Sequence, residues 1–271
     1  MRWTSTLTFL LILLIAAAGQ AQVTGAQKNS SPPTNQKMYD RFDGKWLDPE
    51  KWQATKPQCG GTLECVREIQ NGKLRLAVRN FGRTDSDSGV QWSESEVYFI
   101  DPNAVTSIQA DITLRSFSGI GCATNNTDLT HTQVMIGGNF FNGGTGDPGD
   151  DVTAWLIIWV DISNPQTMLA SLWWGYRDQG GDFGIASYPF GTPLTATFKW
   201  DKANHQFVGS VKVKGEPGPG TGIVVPYSVS DTTPPANAMK NLNAEAHTLN
   251  CTSGRTTGQV EAVFDNVFTN P

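Results

Sequence analysis

Apolar and polar residues alternate with a period of two over most of this chain, and helical periodicity is nearly absent. In "KLRLAVR", Leu74, Leu76 and Val78 share one side against Lys73, Arg75 and Arg79. In "SIQADITL", Ile108, Ala110, Ile112 and Leu114 oppose Gln109, Asp111 and Thr113. "LTATFKW" sets Leu194, Ala196, Phe198 and Trp200 against Thr195, Thr197 and Lys199, and "QFVGSVKVK" sets Phe207, Val211 and Val213 against its polar positions. Successive side chains of a strand point to opposite faces, so each segment predicts a strand with one buried face. The segments are separated by "NFGRTDSDSG", "GGTGDPGDD", "DQGGDFG" and "KGEPGPGTG", whose Gly, Asp and Pro content predicts turns. Many one-sided strands joined by such turns predict an all-β fold, a two-sheet antiparallel β-sandwich.

Two segments break the one-sided rule. "AWLIIWVDI" is apolar on both sides, with Trp155, Ile157 and Trp159 on one and Leu156, Ile158 and Val160 on the other. "LASLWWGYR" groups Leu172, Trp174 and Tyr176, leaving Trp173 and Arg177 opposite. A strand apolar on both faces is covered on both, or its second face lines a groove. An indole left facing solvent offers a flat apolar platform suited to sugar rings. Trp92, Trp155, Trp159 and Trp173, with Arg177, are therefore the candidate ligand-binding set. The competing reading is that a loop covers this second face and that Trp173 is core.

The ends and the cysteines refine the picture. Arg2, an apolar run from Leu7 to Ala18 and small residues at Gly19-Gln20-Ala21 predict a signal peptide over 1–21. The run is short of the roughly 20 residues that span a bilayer. The polar stretch at 22–36 predicts a linker, and 37–271 a single folded domain. The expected location is secreted or periplasmic, with no membrane partner after cleavage. Lys and Arg total 20 against 25 Asp and Glu, with no basic cluster, which argues against nucleic acid. Four cysteines in an exported chain predict disulfides, and the pairing expected is Cys59–Cys65 with Cys122–Cys251.

The stretches "DRFDGKWLDPEKW", "SESEVYFIDPNAVTSIQADITL" and "VEAVFDNVF" resemble the opening, middle and closing strands of the concanavalin A-like lectin/glucanase superfamily. The resemblance implies a jelly-roll sandwich, laminin G-like in its simplest form, and a fold that hosts lectins, glycosidases, lyases and protein-binding modules alike. Within the opening motif, Asp48 and Pro49 predict a short capped turn, pinned by Phe42 and Trp52. The superfamily's glucanases carry a run of alternating acids on one strand. In the region matching it by order, "GDPGDDVTAWLIIWV", Asp151 is followed by Thr153 and Trp155, and no second carboxylate arrives.

One other pair is suited to acid/base chemistry. "QWSESEVYF" puts Trp92, Glu94, Glu96 and Tyr98 on one side. Like charges held close push one carboxyl pKa upward. At ~3.3–3.4 Å per residue the pair is expected roughly 6.5–7 Å apart, near the range used by inverting glycosidases. His131, His205 and His247 sit in unrelated segments. Asp147, Asp150 and Asp151, with Asn142, are candidate ligands for calcium in a Gly-rich loop, although Asp-Pro-Gly-Asp is also an ordinary turn. The sequence favours a non-catalytic module that binds a carbohydrate or other surface polymer. A glycoside hydrolase using Glu94 and Glu96, and a protein-recognition module, are the alternatives.

Overall fold

A computed structural model of the protein describes residues 36–53, 64–122, 131–161 and 164–270, without the side chains of His131 and Asp161. The expectations for the signal peptide, the linker and Cys59 fall outside these residues. Among the described residues no helix is long and apolar enough to cross a membrane.

Among the described residues, fifteen strands occur in chain order. The first seven are β1 (Lys37–Asp40), β2 (Trp52–Gln53), β3 (Glu64–Gln70), β4 (Lys73–Phe81), β5 (Val90–Phe99), β6 (Ser107–Ile120) and β7 (His131–Asn142). Then come β8 (Asp151–Asp161), β9 (Thr167–Tyr176), β10 (Gln179–Pro189), β11 (Leu194–Asp201) and β12 (Gln206–Val213). β13 (Thr221–Pro226), β14 (Lys240–Leu249) and β15 (Thr257–Thr269) complete the chain. One sheet runs β13-β12-β11-β6-β15-β4-β3, with β1 also paired to β15, and the other runs β10-β9-β8-β7-β14-β5-β2. All the strand pairings are antiparallel. The architecture is the two-sheet antiparallel sandwich that alternation predicts.

The apolar positions of the alternating segments meet between the sheets. Leu74, Leu76 and Val78 from β4, Ile108 to Leu114 from β6 and Phe198 from β11 are buried there against Leu156, Ile158 and Leu172 from the second sheet. Phe140 and Phe141 both enter this core because the β7–β8 register slips between Asn139 and Phe141. Such an irregularity re-aims side chains that strict alternation would separate.

The opening motif is structural. Asp48 accepts the backbone N–H of Glu50 at 3.0 Å, as its capping role predicts. Phe42 stacks on Trp52 with ring centroids 5.7 Å apart, and Asp40 accepts the Trp52 indole N–H at 2.7 Å. At the opposite side of the sequence, Cys122 and Cys251 form a disulfide that spans 129 residues. Cys65 is also disulfide-bonded.

Candidate functional site

The outer face of the second sheet carries the candidate residues, and its register can be followed strand by strand. Glu94 on β5 lies opposite Glu245 on β14, which lies opposite Gln133 on β7, which lies opposite Trp159 on β8. The next row runs Glu96, Asn243, Met135 and Ile157. The row beyond runs Tyr98, Asn241, Gly137, Trp155 and Trp173. One face of one sheet is thus polar over β5 and β14 and apolar over β8 and β9.

The apolar half is packed and largely buried. Met135, Trp155 and Ile157 form a second buried cluster, with Trp159, Trp173 and Met239 packed against it. Trp155 is only 8% exposed. The Trp173 ring folds down over Gly175, where an added Cβ would sit 2.6 Å from it. Trp174 turns to the main core, as alternation requires. Trp155 also lines a groove over β5 and β14, while Trp159 and Trp173 are half-buried and pack against this cluster, because large apolar surfaces on adjacent strands gain from mutual burial. Arg177 does not join them. It occupies the turn after β9 with φ 52° and forms two hydrogen bonds, at 2.6 and 2.9 Å, with the Asp150 carboxylate.

The polar half is open. A groove of about 610 Å³ lies over β5 and β14, lined by Trp92, Glu94, Glu96, Tyr98, Asn241, Asn243 and Glu245. Gln53 closes one side, and Asn237, Ala238 and Met239 form a wall facing Trp155. Gly137 lies in the row between Asn241 and Trp155. Its φ of +151° favours glycine, and a Cβ there would meet the Ala154 carbonyl oxygen at 2.2 Å. Trp92 is 58% exposed at the groove, the most exposed indole of the expected set.

Three glutamates share this groove with opposed surroundings. Glu96 is almost fully buried and accepts hydrogen bonds from the Tyr98 hydroxyl and the Asn241 amide. Glu94 accepts the Asn243 amide at 3.1 Å. Glu245 bonds to His247 and accepts the Gln133 amide at 3.3 Å. Burial, with the charges of Glu96 and Glu245, pushes the Glu94 carboxyl up to about 8. Burial raises Glu96 as well, while the Tyr98 and Asn241 donors pull it back. The two carboxyls influence each other in opposite senses: Glu96 raises Glu94, and Glu94 lowers Glu96. The arrangement can hold a proton at neutral pH beside an anion, which is what acid/base chemistry requires.

The acidic loop before β8 forms the ordinary turn that its Asp-Pro-Gly-Asp run predicts. Asp147 caps a short 3-10 turn and accepts the Gly149 N–H at 2.8 Å. Asp150 pairs with Arg177, and Asp151 accepts the Asn142 amide at 2.9 Å. Asp151 also accepts the backbone N–H groups of Ala236 and Asn237, both at 2.7 Å. Asp147, Asp150 and Asp151 are therefore not a calcium ligand set. Among the described residues, the one group of His, Cys, Asp and Glu close enough to hold a metal is Asp87 with Cys122 and Cys251, whose sulfurs are bonded together. Asp151 instead fixes the segment that forms the groove wall. His205 pairs with Asp231 at 3.1 Å, away from the groove.

Sequence reasoning missed Glu245, Asn241 and Asn243. The signal was present in "NLNAEAH", where Asn, Asn, Glu and His alternate with Leu, Ala and Ala.

No family model and no curated protein matches the chain. It is similar to a solved glycosyl hydrolase family 16 protein from Mycobacterium smegmatis, at 11% identity and a TM-score of 0.41, over 85% of this chain and 99% of that one. A second similar structure is the alginate lyase Aly36B, at 13% identity and a TM-score of 0.38, over 89% and 98% of the two chains. A third is the VIP36 exoplasmic/lumenal domain in its Ca2+/Man3GlcNAc-bound form, at 10% identity and a TM-score of 0.38, over 86% and 90%.

Proposed function

We propose that the groove over β5 and β14 takes up a carbohydrate chain and hydrolyses it, with Glu94 as the proton donor. The observation that carries this reading is a carboxyl raised to about 8, in an open groove that it shares with two further glutamates and an exposed indole. Perturbed carboxyls collected in a cleft are the usual mark of acid/base function. Trp92 gives a sugar ring a flat face to rest on, and the surrounding amides match its hydroxyls.

In the reaction Glu94 gives its proton to the glycosidic oxygen as the bond to the sugar carbon breaks. Water adds to that carbon and loses a proton to Glu96, whose anion Tyr98 and Asn241 stabilise. Inversion requires the two carboxyls to act from opposite faces of the sugar unit, with room for the water between. The fold of the superfamily resemblance is kept, while its glucanase run of acids on one strand is replaced by carboxyls from β5 and β14.

The test is release of reducing ends from a panel of polysaccharides by the full chain, compared with Glu94→Gln and Glu96→Gln. Release by the wild type and its loss in both variants supports hydrolysis. Retention of a chain in the groove without release by any of the three proteins overturns it and leaves the non-catalytic binding module.

A further inference from the structure

The chemistry of the groove narrows the class of its ligand. Its lining holds three glutamates and no Lys or Arg. Glu94 and Glu96 share the groove with Glu245, which lies opposite Glu94 and bonds to His247 in the neighbouring row beside Trp92. A neutral chain laid over these carboxyls strips water from them and returns no positive charge.

A second observation concerns hydrogen-bonding capacity. Asn241 and Asn243 are 1% and 2% exposed and line the groove. Each spends its amide N–H on a glutamate, and each side-chain carbonyl oxygen is buried without a donor. Buried acceptors of this kind are rare and mark a place where a donor is expected. The groove therefore asks for positive charge and for N–H or O–H donors together, and its lining offers an anion no Lys or Arg.

We infer that the saccharide this groove takes is a polymer with free, protonated amino groups, a chain of hexosamine units, whose ammonium groups lie among Glu96, Glu245 and the carbonyl oxygens of Asn241 and Asn243. An ammonium brings three donors and one positive charge, which answers both deficits at once. An N-acetylated chain loses the charge and two of the three donors. A uronate chain brings charge of the wrong sign. The inference rests on the carbohydrate reading above and specifies its substrate class.

The experiment measures binding in the absence of cleavage. The full-length Glu94→Gln protein is titrated, at mildly acidic pH, with oligomers of glucosamine, N-acetylglucosamine, glucose and galacturonate, following the fluorescence of the chain's indoles. The glucosamine oligomer is expected to bind at least about tenfold more tightly than its N-acetylated form, with a preference that shrinks as salt is added. The additional change Glu245→Gln, which keeps shape and removes charge, is expected to abolish most of that preference. Equal or tighter binding of the N-acetylated, glucose or galacturonate oligomer overturns the inference. A preference for the amine that survives Glu245→Gln undiminished overturns the assigned site. Amine preference without hydrolysis by the wild type defeats the hydrolase reading alone, and hydrolysis of neutral chains without amine preference defeats this inference alone.

Discussion

The outer face of the second sheet is divided between two regions that began with similar claims to function. Over β8 and β9 the sequence is conspicuous, with Trp155, Trp159 and Trp173 on strands apolar on both faces. Over β5 and β14 it is plain, a few Glu and Asn residues between Ser, Ala and Leu. The conspicuous region packs largely on itself, with Trp155 at its margin lining the groove, and the plain one is open and electrostatically unsettled. Aromatic residues on neighbouring strands can meet their own burial requirement. Carboxyls on neighbouring strands cannot, and a fold that keeps three of them together holds unfavourable proximity that ordinary packing does not explain.

The sharpest way to break this comparison is to remove one proton. Replacing Glu94 by Gln preserves its hydrogen-bonding shape and takes away its acid function, so hydrolysis should fall by about 10²–10⁴-fold, the usual worth of a general acid. Replacing Trp173 by Phe in the packed region should leave the rate nearly unchanged. Rate assays on both variants, with ligand binding measured alongside, decide the matter. A larger loss from Trp173→Phe than from Glu94→Gln would reverse the assignment of the two regions.

Stability should show the opposite order. Trp155 is 8% exposed and joins Met135 and Ile157 across adjacent strands. Trp155→Ala should cost about 3–5 kcal/mol, the range for deleting a buried large ring, read as a lowered denaturation midpoint with unchanged slope. A loss below about 1 kcal/mol would mean that the ring is not held as the packing implies.

Most of the fold could be read from the chain because the core side of each strand is chemically uniform. Leu74, Leu76 and Val78, or Ile108 to Leu114, leave one answer for which side is buried. The site was half legible. β5 announced Glu94 and Glu96 because Val97 and Phe99 fixed the opposite side. β14 is central in its sheet, so nearly all its positions are buried whether polar or apolar, and Asn241, Asn243 and Glu245 gave no contrast to read. The Asp-rich loop was ambiguous for a different reason. A turn and a metal site use the same residues, and only the reach of Asp151 to Ala236 and Asn237 distinguishes them. Arg177 misled because extending the strand by one residue placed it beside Trp173, where a left-handed turn residue actually ends β9.

The pH dependence of stability sharpens the contrast between an open buried charge and a closed one. Glu94 is raised in the folded protein from its ordinary 4.5 to about 8. The folded state therefore binds the extra proton between those values, and stability from this group is complete below about 4.5 and lost as pH rises through 8. Lys240 is 1% exposed, donates to the carbonyl oxygens of Pro102 and Asn139, and is pushed down by burial to about 7. Its contribution runs the other way, complete above about 10.5 and lost as pH falls through 7. Thermal midpoints across pH should fall less steeply from acid to neutral in Glu94→Gln than in the wild type, making the variant the more stable protein at neutral pH. In Lys240→Met the alkaline rise should disappear. Parallel curves for wild type and Glu94→Gln would mean that the Glu94 proton is not held as its surroundings dictate.

The smallest effect concerns Trp92, the indole at the boundary between polar groove and solvent. With 58% of its surface exposed, it contributes little to folding, and Trp92→Ala should change stability by no more than about 0.5 kcal/mol. Its value lies in the face it offers a ligand. Loss of one aromatic stacking surface is worth about 0.5–1.5 kcal/mol, so affinity should drop by about three- to tenfold while the rate at saturating substrate holds. An affinity measurement on the Glu94→Gln background separates this from chemistry. If Trp92→Ala leaves affinity untouched, the ligand passes over the carboxyls without reaching the rim, and the groove's length along β5 is shorter than Glu94 to Trp92. If it instead unfolds the protein, the exposed ring is a packing element, and the open region loses the most exposed of its aromatics.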